Sequence, residues 1–137
     1  MLRPGWRTDV VHFVVNNLVS TALLVAGFVV VGLPLRALVP QSWRDAIASM
    51  PAGRQFLVAL LLAELAQYWA HRATHRVPWL WRFHKVHHSI AEMDWLAAAR
   101  LHPVDQAFTR LVTITPLLVL GFTRETFGGY LVISSVQ

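Results

Sequence analysis

The fold is decided by residues 64–88, which read ELAQYWAHRATHRVPWLWRFHKVHH. An apolar run changes here into a basic, aromatic and histidine-rich segment. His71 and His75 are four positions apart, so on a helix both imidazoles lie on one face. His87 and His88 lie three and four positions after His84, so these three imidazoles also share one helix face. Both segments therefore present convergent imidazoles, which is the arrangement that a metal ion needs.

The metal-binding interpretation depends on the donor types as well as on the spacing. The chain has no cysteine, so any metal ion must be held by histidines and carboxylates. A cluster of titrating histidines that senses pH explains the number of histidines but not their helical register. A zinc hydrolase of the HExxH type is not indicated, because Arg72 follows His71. His12 is isolated in the sequence, and we expect it to pack or to form a hydrogen bond.

The composition indicates a membrane protein. Hydrophobic residues make up 55% of the 137 residues and charged residues only 14%, whereas a soluble domain carries about 25% charged residues. The net charge of +5 comes from eleven Arg and one Lys against seven acids. These basic residues flank apolar runs, a pattern that suits anionic lipid head groups better than nucleic acid.

The apolar runs predict the fold class. An all-α membrane protein is expected, with a transmembrane bundle of about 3–4 spans and a helical cap that carries the histidines. The predicted segments are Val10–Leu33, which ends at Pro34, then Gln55–Trp69, which continues to His75, then Val104–Phe122, and an incomplete Phe127–Gln137. Six of the twelve basic residues lie between His71 and Arg110, which places the cap on the cytoplasmic side. Residues 1–137 are expected to form a single domain.

Three motifs carry a resemblance to a known family. The sequences HRATH, WLWRFHKVHHS and RLHPVD together resemble the fatty acid hydroxylase/sterol desaturase family of membrane non-haem di-iron oxygenases. The resemblance implies O₂-dependent hydroxylation or desaturation of a lipid, a sterol or fatty acyl chain for example, at two iron ions. It also implies the metal ligands His71, His75, His84, His87, His88 and, less firmly, His102. His102 precedes Pro103 and is therefore biased away from helical geometry.

The sequence departs from the family pattern in two places. Asp105 stands where the family commonly has Glu, and the family's last HxxHH box is missing. We therefore expect the chain to be incomplete at its C-terminal end.

Two acids are candidates for supporting roles at the metal site. Glu64 lies seven positions before His71 on nearly the same helix face, which predicts a group that supports the metal site or carries protons. The alternative for Glu64 is a buried hydrogen bond to Asn16 or Asn17. Asp94 could orient a histidine, although a solvated acid in a loop is the simpler interpretation.

Two other functions remain open from the sequence alone. The histidines could serve a non-catalytic membrane protein that binds a metal or haem, or the chain could be an inactive truncated relative. An oxygenase would need a separate electron donor, such as a reductase, ferredoxin or cytochrome-type protein. The sequence contains no glycine-rich dinucleotide fingerprint and no cysteine for an iron–sulfur cluster. A nucleic-acid partner is not expected, and the oligomeric state is not indicated.

Overall fold

A computed structural model describes residues 6–90 and 100–134. Within these ranges the chain is helical, and it contains no β-strand. The helices are α1 (Trp6–Val15), α2 (Thr21–Gly27), α3 (Leu33–Leu38), α4 (Gln41–Ala48), α5 (Ala52–Arg76), α6 (Pro78–His84), α7 (Pro103–Leu120) and α8 (Arg124–Ser134). The chain forms two compact units. Unit 1 comprises Met1–Ala26 and Trp69–Arg110, and unit 2 comprises Gly27–Tyr68 and Leu111–Gln137.

The first predicted apolar segment forms one long helix. Two π-helical turns, Asn16–Ser20 and Phe28–Gly32, join α1, α2 and α3 into a 33-residue helix from Trp6 to Leu38. The helix is long and apolar enough to cross a membrane, and only 11% of its most apolar window is buried within the protein. Its apolar side chains therefore face outward, unlike those of a core helix in a soluble protein.

The prediction that Pro34 ends this helix is wrong, because the helix continues to Leu38. A proline inside a helix lacks the N–H that would bond to the carbonyl four residues earlier, and its ring crowds that carbonyl. Here the carbonyl belongs to Val30, within the second π-helical turn. The wider π turn changes the local hydrogen-bonding pattern directly before the proline.

The number of membrane spans, predicted as about 3–4, stays a prediction, because length and composition identify fewer candidate spans among the described residues. Among the described residues, one helix has the length and apolarity of a span. A second exists if α4 and α5, which are bent by 117° at the break between them, are taken as one broken span. The segments predicted at Gln55–Trp69 and Val104–Phe122 are both helical, as Ala52–Arg76 and Pro103–Leu120. The fold class is therefore all-α, with one clear candidate span.

Unit 2 has a small core of tightly packed residues. Ala59, Ala63, Leu117 and Tyr130 are buried together, and the small alanines allow the backbones to approach closely. Gln55, which is 1% exposed, adds a polar link at one end. Its side-chain amide donates to the Ile47 carbonyl at 3.2 Å, and its side-chain oxygen accepts from the N–H of Thr123 at 2.7 Å. Both polar ends of this buried side chain are thus satisfied.

We expect Gly121→Ala to destabilise unit 2 by about 1–3 kcal/mol, because the backbone there is strained for any other residue. Gly121 has φ +88°, and an added Cβ would lie 2.8 Å from the Cβ of Arg44. Gly53→Ala is the matched control, since a Cβ at Gly53 meets no atom within 4 Å. Thermal unfolding in detergent micelles measures both variants. Equal midpoints for the two would contradict this account of the turn.

Candidate metal centre

The histidines are carried by two helices and a short turn. His71 and His75 lie in the last two turns of α5, which ends at Arg76. Val77 is extended (φ −93°, ψ 114°), because the residue before a proline is disfavoured in helical geometry. Pro78 then begins α6, where its missing N–H costs no hydrogen bond. The sharp change of direction at Val77 and Pro78 brings His84, at the end of α6, beside the two histidines of α5.

Four imidazoles converge within unit 1. The Nε2 atoms of His71 and His75 are 3.2 Å apart, and those of His84 and His88 are also 3.2 Å apart. The ring centroids of His84 lie 4.7 Å from those of His75 and 4.9 Å from those of His71. His71, His75 and His84 each offer a ligand atom within 4.8 Å of the others, which is compatible with one shared metal ion. The predicted convergence of the two histidine segments is therefore present.

This donor set fits a redox metal ion. Neutral imidazole binds Fe, Zn, Cu and Ni, so the donors are compatible with iron without selecting it. The geometry does not suit a haem held between two of these histidines. Nε2 atoms 3.2 Å apart can point at a common ion, but they leave no space for a porphyrin between them. The cluster is thus compatible with a non-haem metal site.

His84 is the buried centre of the cluster. It is 4% exposed, and its Nδ1 lies 3.1 Å from Oδ2 of Asp105, which is 5% exposed. When Nδ1–H donates to this carboxylate, the Nε2 lone pair points toward the other imidazoles. A carboxylate behind a ligating histidine fixes the ring and makes its nitrogen more basic. The sequence left the role of Asp105 undefined, and the structure gives it this contact.

The other two predicted ligands lie outside the tight group. The ring of His87 is 5.8 Å from that of His84, and its Nδ1 is buried with no hydrogen-bond partner in the described part of unit 1. His102 precedes the first residue of α7, and its Nδ1 accepts a hydrogen bond from the N–H of Val104 at 3.2 Å. Its ring packs on Phe83 at 4.7 Å. His102 therefore caps α7, and ligation by each of the six histidines, His87 and His102 included, stays a prediction.

Trp81 covers one side of the cluster. Its ring lies 5.4 Å from the rings of both His75 and His88. A surface depression of about 280 Å³ opens beside it, lined by His75, Arg76, Pro78 and Trp81. The cluster is thus buried on the side of His84 and open on the side of His75.

Burial and repulsion between neighbouring imidazoles favour the neutral form of His88. Desolvation lowers the pKa of the His88 imidazole, and the nearby His84 and His87 lower it further, while Asp105 acts in the opposite direction. Desolvation also lowers the pKa of His102, against the charge of Asp105. Neutral imidazoles retain the lone pair that a metal ion requires.

The acid that contacts a histidine of the cluster is neither Glu64 nor Asp94, the two acids that the sequence analysis proposed for this role. Asp94 lies outside the described residues, and Asp105 is the carboxylate that meets a histidine. Glu64 belongs to unit 2, where its side chain is exposed. Its role at the metal site stays a prediction. As expected, His12 forms a hydrogen bond, with its Nδ1 3.0 Å from the carbonyl oxygen of Leu101.

Comparison with known proteins decides the family. Residues 56–137 match the fatty acid hydroxylase family, and this range includes all the clustered histidines. The chain belongs to this family. The match begins within α5 and covers more than half of the chain, so the resemblance expected from the histidine motifs is confirmed.

Two curated proteins that are similar to this chain have names that state an enzymatic activity. An ornithine lipid hydroxylase of Rhizobium tropici is 37% identical over 85 residues, which is 62% of this chain and 25% of the relative. A Dictyostelium discoideum protein named as a methylsterol monooxygenase is 32% identical over 88 residues, 61% of this chain and 32% of the relative. The chain thus spans about a quarter to a third of the length of these relatives. No solved structure matches the chain significantly.

Proposed function

We propose that this chain carries the metal ligands of a membrane-bound lipid hydroxylase, an oxidoreductase that uses O₂. The observation that carries the proposal is the convergence of His71, His75, His84 and His88, with Asp105 behind His84. The names of the two relatives support a lipid substrate and hydroxylation as the reaction. Desaturation is the related outcome that the family resemblance leaves open.

The metal that we propose is iron, at a non-haem di-iron site. His71, His75, His84 and His88 would hold it, and His87 and His102 are the additional ligands implied by the resemblance. Bound iron supplies the activation of O₂ that an aliphatic C–H bond requires, because such a bond has no proton acidic enough for acid–base catalysis. Reducing equivalents would come from a separate electron-donor protein.

The residues of this chain have three tasks in the proposed reaction. Asp105 holds the His84 ring in one orientation through its Nδ1–H. Trp81 packs against His75 and His88 and limits the positions that these two rings can take. The depression beside His75 is lined by Pro78 and Trp81, whose apolar surfaces suit a lipid chain. Arg76, at the rim of the same depression, suits a phosphate or carboxylate of the lipid head group.

We also propose a multi-pass location in the membrane, with the histidine site facing the cytoplasm. The apolar helix from Trp6 to Leu38 supports the membrane location. The basic residues around the histidines support the orientation. A site at the interface would let a lipid chain reach the metal without leaving apolar surroundings. We also propose that Glu64 supports the metal site or carries protons.

The function is tested by lipid analysis of cells that produce the full-length protein together with an electron-donor system. Hydroxylation predicts a lipid that has gained one oxygen atom, and desaturation predicts a lipid that has lost two hydrogen atoms. Cells with a variant in which His71 and His75 are both Ala are the control, and their lipids should lack the product. An unchanged lipid profile, from protein shown to contain iron, would favour the non-catalytic metal-binding alternative.

A further inference from the structure

A buried ion pair joins the N-terminal helix to the segment before α7. Asp9, in α1, is 0% exposed, and its Oδ1 accepts a hydrogen bond from Nε of Arg100 at 2.6 Å. The Arg100 side chain is 16% exposed. A buried carboxylate is costly unless a cation and hydrogen bonds compensate it, so the partners of Asp9 are strongly constrained in position.

Two more side chains on the same face of the N-terminal helix hold the next residue. His12 and Asn16 follow Asp9 by three and seven positions, which is helical spacing. The Asn16 side-chain amide donates to the Leu101 carbonyl at 2.8 Å, and His12 Nδ1 lies 3.0 Å from the same oxygen. One carbonyl oxygen can accept both bonds, since it has two lone pairs. Arg100 and Leu101 are therefore both fixed by α1 and the turn that follows it.

These contacts lie directly before the residues that orient the metal ligand. His102 follows Leu101 and caps α7 through the N–H of Val104. Asp105, in the first turn of α7, then meets His84. The position of the Asp105 carboxylate depends on where α7 begins. That start is held by Arg100 and Leu101, and hence by the N-terminal helix.

We propose that Asp9 is a positioning residue of the metal centre, acting through Arg100 to set the start of α7 so that Asp105 meets His84. The family match begins at residue 56, so it does not extend to Asp9. The inference rests on the proposed metal site and gives the N-terminal helix a second task besides crossing the membrane. A purely structural ion pair would stabilise unit 1 without affecting the metal site more than the rest.

The test uses Asp9→Asn in the full-length protein, reconstituted in lipid nanodiscs. Titration with Co²⁺, followed by its visible absorption bands, is expected to show roughly tenfold weaker binding, at the lower end of the range for supporting partners. Amide hydrogen exchange at Val104 and Gln106 should also become faster in metal-free protein. The exchanged pair Asp9→Arg with Arg100→Asp should restore both readouts in part. Asp45→Asn, which removes an exposed carboxylate bonded to Gln41, is the control and should change neither.

The possible outcomes separate this inference from the proposed function. Wild-type Co²⁺ affinity and wild-type exchange in Asp9→Asn would overturn the positioning role, and so would an equal increase of exchange throughout unit 1. If Asp9→Asn does not fold, Arg100→Lys, which keeps the charge but loses the Nε–H bond to Asp9, replaces it. Unchanged Co²⁺ affinity and unchanged exchange at Gln106 in that variant would overturn the role. Wild-type protein that binds neither Co²⁺ nor iron would contradict the proposed function, while the exchange data would still test the role of Asp9.

Discussion

His84→Ala is expected to abolish metal binding by the full-length protein. His84 lies against His71, His75 and His88 and is the buried member of the cluster. Removing it takes away a proposed ligand atom and leaves the Asp105 carboxylate buried without its imidazole partner. We expect metal affinity to fall more than about 100-fold, beyond the usual effect of losing a supporting group. Metal content of the purified protein, measured by elemental analysis, checks this result.

Leu80→Ala is the matched control for His84→Ala. Leu80 lies one turn earlier on α6 and is also buried, at 7% exposed. Its truncation should cost about 2–5 kcal/mol of stability through lost packing, yet the folded variant should bind metal as the wild type does. Equal metal loss in both variants would mean that α6 acts through packing alone. Wild-type metal content in His84→Ala would remove His84 from the site.

Asp105→Asn is expected to weaken metal binding by about 10–100-fold, since the partner of a ligating histidine typically contributes this much. The amide keeps nearly the same shape and can still accept a bond from His84 Nδ1–H. It lacks the negative charge that makes the imidazole more basic and that offsets the charge of a bound cation. Co²⁺ titration of the variant measures the effect directly.

Asp105→Glu separates the charge from the exact geometry. The carboxylate is retained, and the family commonly has Glu at this position, so we expect most of the affinity to return. The position of the visible Co²⁺ bands should move in Asp105→Asn and should stay close to wild type in Asp105→Glu. If Asn and Glu variants both bind as the wild type does, the His84–Asp105 contact has no role in metal binding.

The sequence predicted the helical character and the convergence of the histidines because both depend on local spacing. His71 and His75 share a face of any helix, and Pro78 forces the chain to turn before His84. The mistaken end of the first helix at Pro34 has a different cause. Local propensity does not show that a π-helical turn precedes the proline. The number of spans depends on helix packing in the membrane, which hydropathy alone does not give.

The supporting residues could not be predicted because they depend on contacts far apart in the sequence. Asp105 lies 21 positions from His84, and Asp9 lies 91 positions from Arg100. A weak signal existed in each case. Asp9 is an acid next to an apolar run, where an unpaired charge would be costly, and Asp105 comes three residues after His102 in the family motif. Neither signal names a partner, so the sequence singled out Glu64 and did not assign a role to Asp9 or Asp105.

The central claim is that His71, His75, His84 and His88 hold iron in a non-haem site. X-ray absorption at the iron edge of the purified full-length protein tests it most directly. The account predicts a first shell dominated by nitrogen and oxygen, with the scattering pattern of imidazole rings and no porphyrin signature, and its loss in His84→Ala. A porphyrin signature, or an imidazole pattern that is unchanged in His84→Ala, would contradict the account.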